Sequence, residues 1–201
     1  MPSSFNNLSA NIWEERPVTL PIDQLDSLDL WRRKLYELHL IGAYDDGIGF
    51  GNISVRRGVS NAFFITGSAT GSLPLLASEH YALVERFDIA GNTLECTGTT
   101  KASSESLSHA AVYVVSPVTG AVIHVHSNDL WQRGMYVHPT TDPKAEYGTP
   151  EMALEVSRIV EEQGSESGGI IVMGGHQDGI ISYGSDLTEA GHRIVALIQG
   201  E

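Results

Sequence analysis

Hydrophobic residues recur at helical spacing in some stretches of the chain and at strand spacing in others. In "DSLDLWRRKLYELHLIGA", from Asp26, Trp31, Leu35, Leu38 and Gly42 fall on one helical face with Leu28 a turn earlier, which predicts an amphipathic helix. "SSESLSHAAVYVVSP" aligns Leu107, Ala110, Ala111 and Val114 behind serines that can cap. Thr149-Pro150 opens a helix through "EMALEVSRIVEEQG" that stops at Gly164, and Asp186 with Glu189 forms a capping-box-like start for "LTEAGHRIVALIQ". Strand-like runs lie between them: "GNISVRR", "AFFIT", the buried run in "GAVIHVHSND", and two short strands around the glycine-rich turn of "GGIIVMGGHQDGIISYG". "SEHYALVERFD" reads as a helix passing into a strand, and Gly91-Asn92 punctuates a hairpin in "ERFDIAGNTLEC". Residues 1–25 are polar, carry Pro2, Pro17 and Pro21, and show no sustained periodicity. They are expected to form an N-terminal arm, with residues 26–201 as the domain. The alternation of helices with short strands predicts a mixed α/β domain around one central sheet.

At 201 residues the chain is long enough to bury one sizeable core. Its 25 acidic against 12 basic residues give a net charge of -13, which repels nucleic acid and anionic membranes. Any anionic ligand must then be held by local donors. Cys96 is the only cysteine, so no disulfide framework exists, and a reducing compartment is expected. The first residues lack the basic start and apolar run of a signal peptide, and no window approaches a membrane span. The expectation is a soluble, cytoplasmic protein.

His124 and His126 sit two apart in a strand, so they share a face, two rises of about 3.3 Å apart. Two imidazoles so placed can converge on one cation with bonds of about 2.0–2.1 Å, and a zinc site commonly takes a third protein ligand plus an open position. His176, between Gly175 and Gln177, is the candidate third. The competing reading of the pair is two hydrogen-bonded strand histidines at a surface. Three further clusters lie at strand or helix ends: Gly51-Asn52, Thr66-Gly67-Ser68 and Ser103-Ser104-Glu105. Helix-start amides with serine hydroxyls make an anion site that needs no lysine. Taken singly, each cluster is better explained as a turn or cap, Ser103-Ser104 as an N-cap, and Glu105 by the dipole of the helix it begins.

Taken in order, "GNISVR", "FFITGS", "ASSESLSHAAVY", "AVIHVHS" and "IVMGGHQDGIISYG" resemble the class II aldolase/adducin family over roughly residues 28–198. The resemblance implies a three-layer α/β/α sandwich around a central, mainly antiparallel sheet, assembled as a homotetramer with sites at subunit interfaces. It implies Zn2+, or another divalent cation such as Mn2+, Co2+ or Fe2+, on His124, His126 and His176, with Glu105 as acid/base. It also implies a phosphate gripped by Asn52, Thr66, Gly67, Ser103 and Ser104. The expected activity is reversible aldol cleavage of a small phosphorylated ketose, or its synthesis from dihydroxyacetone phosphate, through a metal-stabilised enediolate. A carboxylate beside the ion can shuttle the proton if burial raises its pKa, a shift the cation opposes.

Two departures from the family pattern stand out. Gln177 follows the third histidine where glycine is usual. Several family aldolases also carry further C-terminal residues that bring a tyrosine into the neighbouring subunit's site, and that donor is expected to be absent here. Tyr147, in "DPKAEYGTP", is the candidate phenol, supplied from an adjacent subunit, with loop packing as its competing role; Tyr183 has the same standing. His39, His80, His109, His138 and His192 are assigned to helix faces or loops, His109 one turn beyond Glu105. On the same site a ketose-phosphate 4-epimerase, a methylthioribulose-phosphate dehydratase or a decarboxylase is the alternative. A non-catalytic module like the adducin head is the alternative from a different class.

Overall fold

A computed structural model of the chain describes residues 10–164 and 168–200. In chain order the elements begin with β1 (Ala10–Glu15), α1 (Ile22–Glu37), β2 (Gly42–Ala43), β3 (Gly49–Phe50), β4 (Asn52–Arg56) and β5 (Phe63–Thr66). After a single 3-10 turn at Ser78–His80 come β6 (Tyr81–Asp88), β7 (Thr93–Gly98), α2 (Ser106–Val115) and β8 (Ala121–His126). The chain finishes with α3 (Asn128–Gly134), α4 (Pro150–Gln163), β9 (Gly169–Val172), β10 (Gly179–Gly184) and α5 (Leu187–Gln199). Eight strands form one sheet in the order β1-β7-β6-β5-β4-β8-β10-β9, and β2 and β3 form a separate hairpin. Only β1 on β7 is parallel; the other neighbours in the large sheet are antiparallel.

The sheet is covered on both faces, as the resemblance implied. Leu28, Trp31 and Leu35 of α1 and Leu187, Ala190 and Ile194 of α5 pack with Ile123 and Val125 of β8 in one core. Ala110, Ala111 and Tyr113 of α2 and Met152, Val156 and Ile159 of α4 pack with Val122 in the other. Because side chains alternate along a strand, His124 and His126 point to the α2/α4 side with Val122. Strand β8 lies between β4 and β10, with Asn52 and Ile181 both opposite His124 and Gly179 opposite His126. Helix α2 is tied to β4 by two side chains on that face. The buried Arg56 guanidinium donates to the carbonyls of Tyr113, Ser116 and Thr119, satisfying acceptors that the helix end leaves over. Ser54 Oγ lies 2.7 Å from both His109 Nδ1 and the Tyr113 hydroxyl.

Several elements differ from the periodicity. The first helix starts at Ile22 rather than Asp26 and stops at Glu37. His39 takes a left-handed backbone that reverses the chain, so Leu38 is 42% exposed while Leu40 and Ile41 are buried, and Gly42 belongs to β2. "SEHYALVERFD" is helical for one turn only and is otherwise strand β6. Val114 is exposed and Tyr113 buried in its place. Within the stretch expected as an arm, residues 10–15 pair along β7 as an edge strand; residues 1–9 lie outside the described residues. Helix α3, capped by Ser127 Oγ accepting from the Leu130 amide, follows β8 directly and has no counterpart in the periodicity. Among the described residues no helix is long and apolar enough to cross a membrane.

Candidate functional site

The end of β8 delivers His124 and His126, and the turn between β9 and β10 brings His176 to them. That turn is closed by three backbone bonds: His176 N–H to Met173 O, Gly179 N–H to His176 O and Met173 N–H to Gly179 O. It sits hard against the loop ahead of α4, where a Cβ on Gly175 would overlap the Ala145 carbonyl oxygen. Gly175→Ala must therefore push the His176 turn away from the loop. The expected results are a loss of about 1–3 kcal/mol in thermal or urea unfolding and weaker divalent-ion retention in a chelator competition.

Potential ligand atoms of the three histidines all lie within 4.8 Å of one another. The Nε2 atoms of His124 and His126 are 3.1 Å apart, close to the spacing of two nitrogens that share one ion at about 2.0–2.1 Å with roughly a right angle between them. Burial lowers the pKa of all three: well below the ordinary value for His124, to about 4 for His126 and to about 3 for His176. Neutral imidazoles keep the lone pairs that a cation needs. Around them the structure leaves buried polar atoms without a partner: Glu105 Oε1, His176 Nδ1, Asn52 Oδ1 and His109 Nε2. Such a collection is costly unless something completes it, and neutral nitrogens beside a carboxylate suit a divalent cation.

Glu105 sits immediately before the first residue of α2, with Oε2 accepting from Ser108 Oγ and lying 4.0 Å from His176 Nδ1. Burial pushes its pKa up to about 7, against the lowering effect of the Ser108 bond. This buried carboxyl is thus poised near neutrality beside a cluster of nitrogens, the arrangement expected of a proton shuttle.

The five residues expected to grip a phosphate fall in two groups. Asn52 is buried opposite His124 across the β4–β8 ladder. Thr66 ends β5, and Gly67 after it and Ser103 and Ser104 ahead of α2 lie on two loops joined by a bridge between Gly67 and Ala102. The Gly67 amide is already donated to the His80 carbonyl and the Ser68 amide to that of Lys101. Thr66 Oγ1 and Ser103 Oγ accept from the Ile53 and Glu105 amides, which leaves their hydroxyl hydrogens to donate. Ser104 is exposed.

Tyr147, the phenol expected from an adjacent subunit, instead stacks on His176 of its own chain, with ring centroids 4.5 Å apart and planes 23° from parallel. Tyr183 is buried, and its hydroxyl donates to Gln163 Oε1. The histidines assigned to helices and loops lie there, and the His109 side chain turns to Ser54 rather than to Glu105.

The sequence reading missed Tyr44. It follows β2 in a tight hairpin closed by Tyr44 N–H to Ile48 O and Ile48 N–H to Asp46 Oδ1. Its hydroxyl is 2.8 Å from His126 Nδ1, and Phe50 packs against both rings, at 4.6 Å from Tyr44 and 5.5 Å from His126. Burial, with Asp178 and Asp46 nearby, raises the phenol's pKa and keeps it neutral. The Asp-Asp-Gly ahead of "GNISVR" signals the turn; nothing in the pattern tells which way the ring folds.

Solved structures of similar fold include L-fuculose-1-phosphate aldolase from Thermus thermophilus, at TM-score 0.62 and 21% identity over 87% of this chain and 88% of that one. Another L-fuculose 1-phosphate aldolase aligns at TM-score 0.66 and 21% identity, over 90% and 84%. YgbL from Klebsiella pneumoniae, crystallised as a candidate aldolase/epimerase/decarboxylase, aligns at TM-score 0.64 and 19% identity, over 88% and 86%. No curated protein matches. The sequence profile of the class II aldolase and adducin N-terminal domain matches residues 44–199, running from the Tyr44 hairpin through the last helix. With that span and with the sandwich described above, the chain belongs to the class II aldolase/adducin family.

Proposed function

We propose that the protein is a divalent-metal-dependent lyase that reversibly cleaves a small phosphorylated ketose by an aldol reaction. The observation that carries this reading is the buried Glu105 carboxyl, its pKa pushed up to about 7, 4.0 Å from His176 in a cluster of three neutral imidazoles. A non-catalytic module has no use for that combination.

His124, His126 and His176 would hold the ion, Zn2+ in the first instance, which when bound supplies the electrophile that polarises a substrate carbonyl. Glu105 would take the proton from the carbon next to that carbonyl and return it in the reverse direction. Tyr147, stacked on His176, would hold a phenolic proton for the oxygen of the aldehyde fragment. Asn52 and the hydroxyls of Thr66, Ser103 and Ser104 would bind the phosphate, with Gly67 shaping the loop rather than lending its amide, which His80 already occupies. The catalytic domain would include β1 and the whole of α1 rather than begin at residue 26, and would work as a cytoplasmic homotetramer.

The test is deuterium exchange into dihydroxyacetone phosphate, followed by NMR in heavy water with zinc-loaded protein and the His124→Ala variant as control. Stereospecific exchange that requires His124 is the expected result. Zinc-loaded protein that leaves the substrate protons untouched overturns the aldolase reading.

A further inference from the structure

We propose that Tyr44 is a positioning residue of the metal centre, its hydroxyl serving Nδ1 of His126 as donor when the histidines are metal-free and as acceptor when an ion is bound. This inference rests on the metal-binding part of the reading above.

The direction of each bond follows from the partners. His124 Nδ1 lies 3.2 Å from the Ile180 carbonyl, which can only accept, so the one ring hydrogen of neutral His124 is on Nδ1 and its Nε2 is bare. His126 Nε2 faces that bare nitrogen at 3.1 Å, and so must carry the hydrogen in the bond between them. His126 Nδ1 is then bare in turn, and the Tyr44 hydroxyl, 2.8 Å away, donates to it. The metal-free cluster is thus a directed chain from Tyr44 through His126 and His124 to the backbone of β10.

An ion shared by the two Nε2 atoms needs a lone pair from each. His126 must then lose the proton on Nε2 and gain one on Nδ1, with no net change in its charge. Its Nδ1–H now donates, and Tyr44 must accept. A hydroxyl can serve in both directions, whereas a carboxylate could only accept and a backbone amide could only donate. Ligating histidines are held by a partner on the second ring nitrogen, and here that partner is reversible. Two features fix the hydroxyl in place: the short β2–β3 hairpin and the packing of Phe50 on both rings. Once Tyr44 accepts, its own phenolic hydrogen is released, and at 45% exposure the residue can offer it to a substrate oxygen.

The experiment combines a zinc titration against a chromophoric chelator with 15N NMR of protein labelled in its imidazole nitrogens. The wild type is expected to show His126 as the Nε2–H tautomer without metal and as the Nδ1–H tautomer with zinc. Tyr44→Phe, which keeps the ring and its packing, is expected to weaken zinc binding about tenfold or more, with the metal-free form still folded and melting somewhat earlier for want of the hydroxyl's bond. A variant that binds zinc as tightly as the wild type overturns the role of Tyr44 and leaves the metal centre standing. One tautomer in both wild-type states overturns it as well, and decides the matter even where the variant does not fold. Wild-type protein that takes up no zinc overturns the metal centre and this inference together.

Discussion

Replacing His124 with alanine will leave a folded protein that neither retains zinc nor exchanges substrate protons. His124 is buried at the centre of the cluster, paired across β8 to Asn52 on one side and Ile181 on the other, with its Nε2 3.1 Å from that of His126. Its removal would take one of the three proposed ligands and break the proposed chain of bonds from Tyr44 through His126. The fall in zinc affinity should exceed the roughly 10–100-fold that losing an outer partner typically costs, and turnover should become undetectable. Metal content after dialysis, read beside far-ultraviolet circular dichroism, separates a lost ligand from a lost fold. Activity that persists in the metal-free variant would refute the mechanism.

Glu105→Gln should have the opposite signature: metal retained, chemistry lost. The amide preserves the shape of the carboxyl but cannot carry a proton away, so kcat should fall by about 10²- to 10⁴-fold while zinc binding stays within a few-fold of the wild type. The same variant should change how the metal-free protein responds to pH. Burial pushes the pKa of folded Glu105 up to about 7 against about 4.3 unfolded, a gap equivalent to about 4 kcal/mol. Because its folded pKa is raised, the stability it contributes is fully present below the unfolded value and is lost as pH rises through about 7. His126 and His176 act in reverse. Their folded pKa values are depressed to about 4 and 3, so their contribution is present above the ordinary imidazole value of 6.5 and is lost as pH falls towards 4 and 3. Between about pH 4.3 and 6.5 the two histidines outweigh the one carboxyl, so melting temperatures of chelator-treated protein should rise with pH over that range, and rise more steeply in Glu105→Gln, which lacks the opposing group. Zinc should remove the carboxyl's opposition in the wild type, since a nearby cation favours the carboxylate. A variant whose rise is no steeper than the wild type's would assign the pH dependence to other groups.

What the sequence reveals about the site depends on how local the determining contacts are. "AVIHVH" reads as a strand with two histidines on one face because alternation is set by the backbone itself, and the turn glycines around His176 mark it as the third member. The start of α2, directly after Glu105, is legible because the serines ahead of it are a local helix-start signal. Long-range packing is another matter. Helix α3 spans seven residues, too few for a period to emerge, and the amphipathic pattern of α1 runs past the point where His39 turns the chain. The Gly67 amide looks free in a sequence and is not, because its partner is the His80 carbonyl, thirteen residues away. Tyr147 and Tyr44 reach His176 and His126 through a loop and a hairpin whose side-chain directions no periodicity encodes.

The two imidazoles on β8 are held by a strand that is hydrogen-bonded along both flanks, whereas Glu105, Tyr44, Tyr147 and the hydroxyl clusters hang from a helix start, a hairpin and loops. Substitutions among the hydroxyl-bearing residues ahead of Glu105 can therefore reshape what the pocket admits without moving the three histidines. For directed evolution, that loop is the place to randomise, with β8 and its two neighbours, the His176 turn, the loop ahead of α4 that packs on it and the Tyr44 hairpin left untouched.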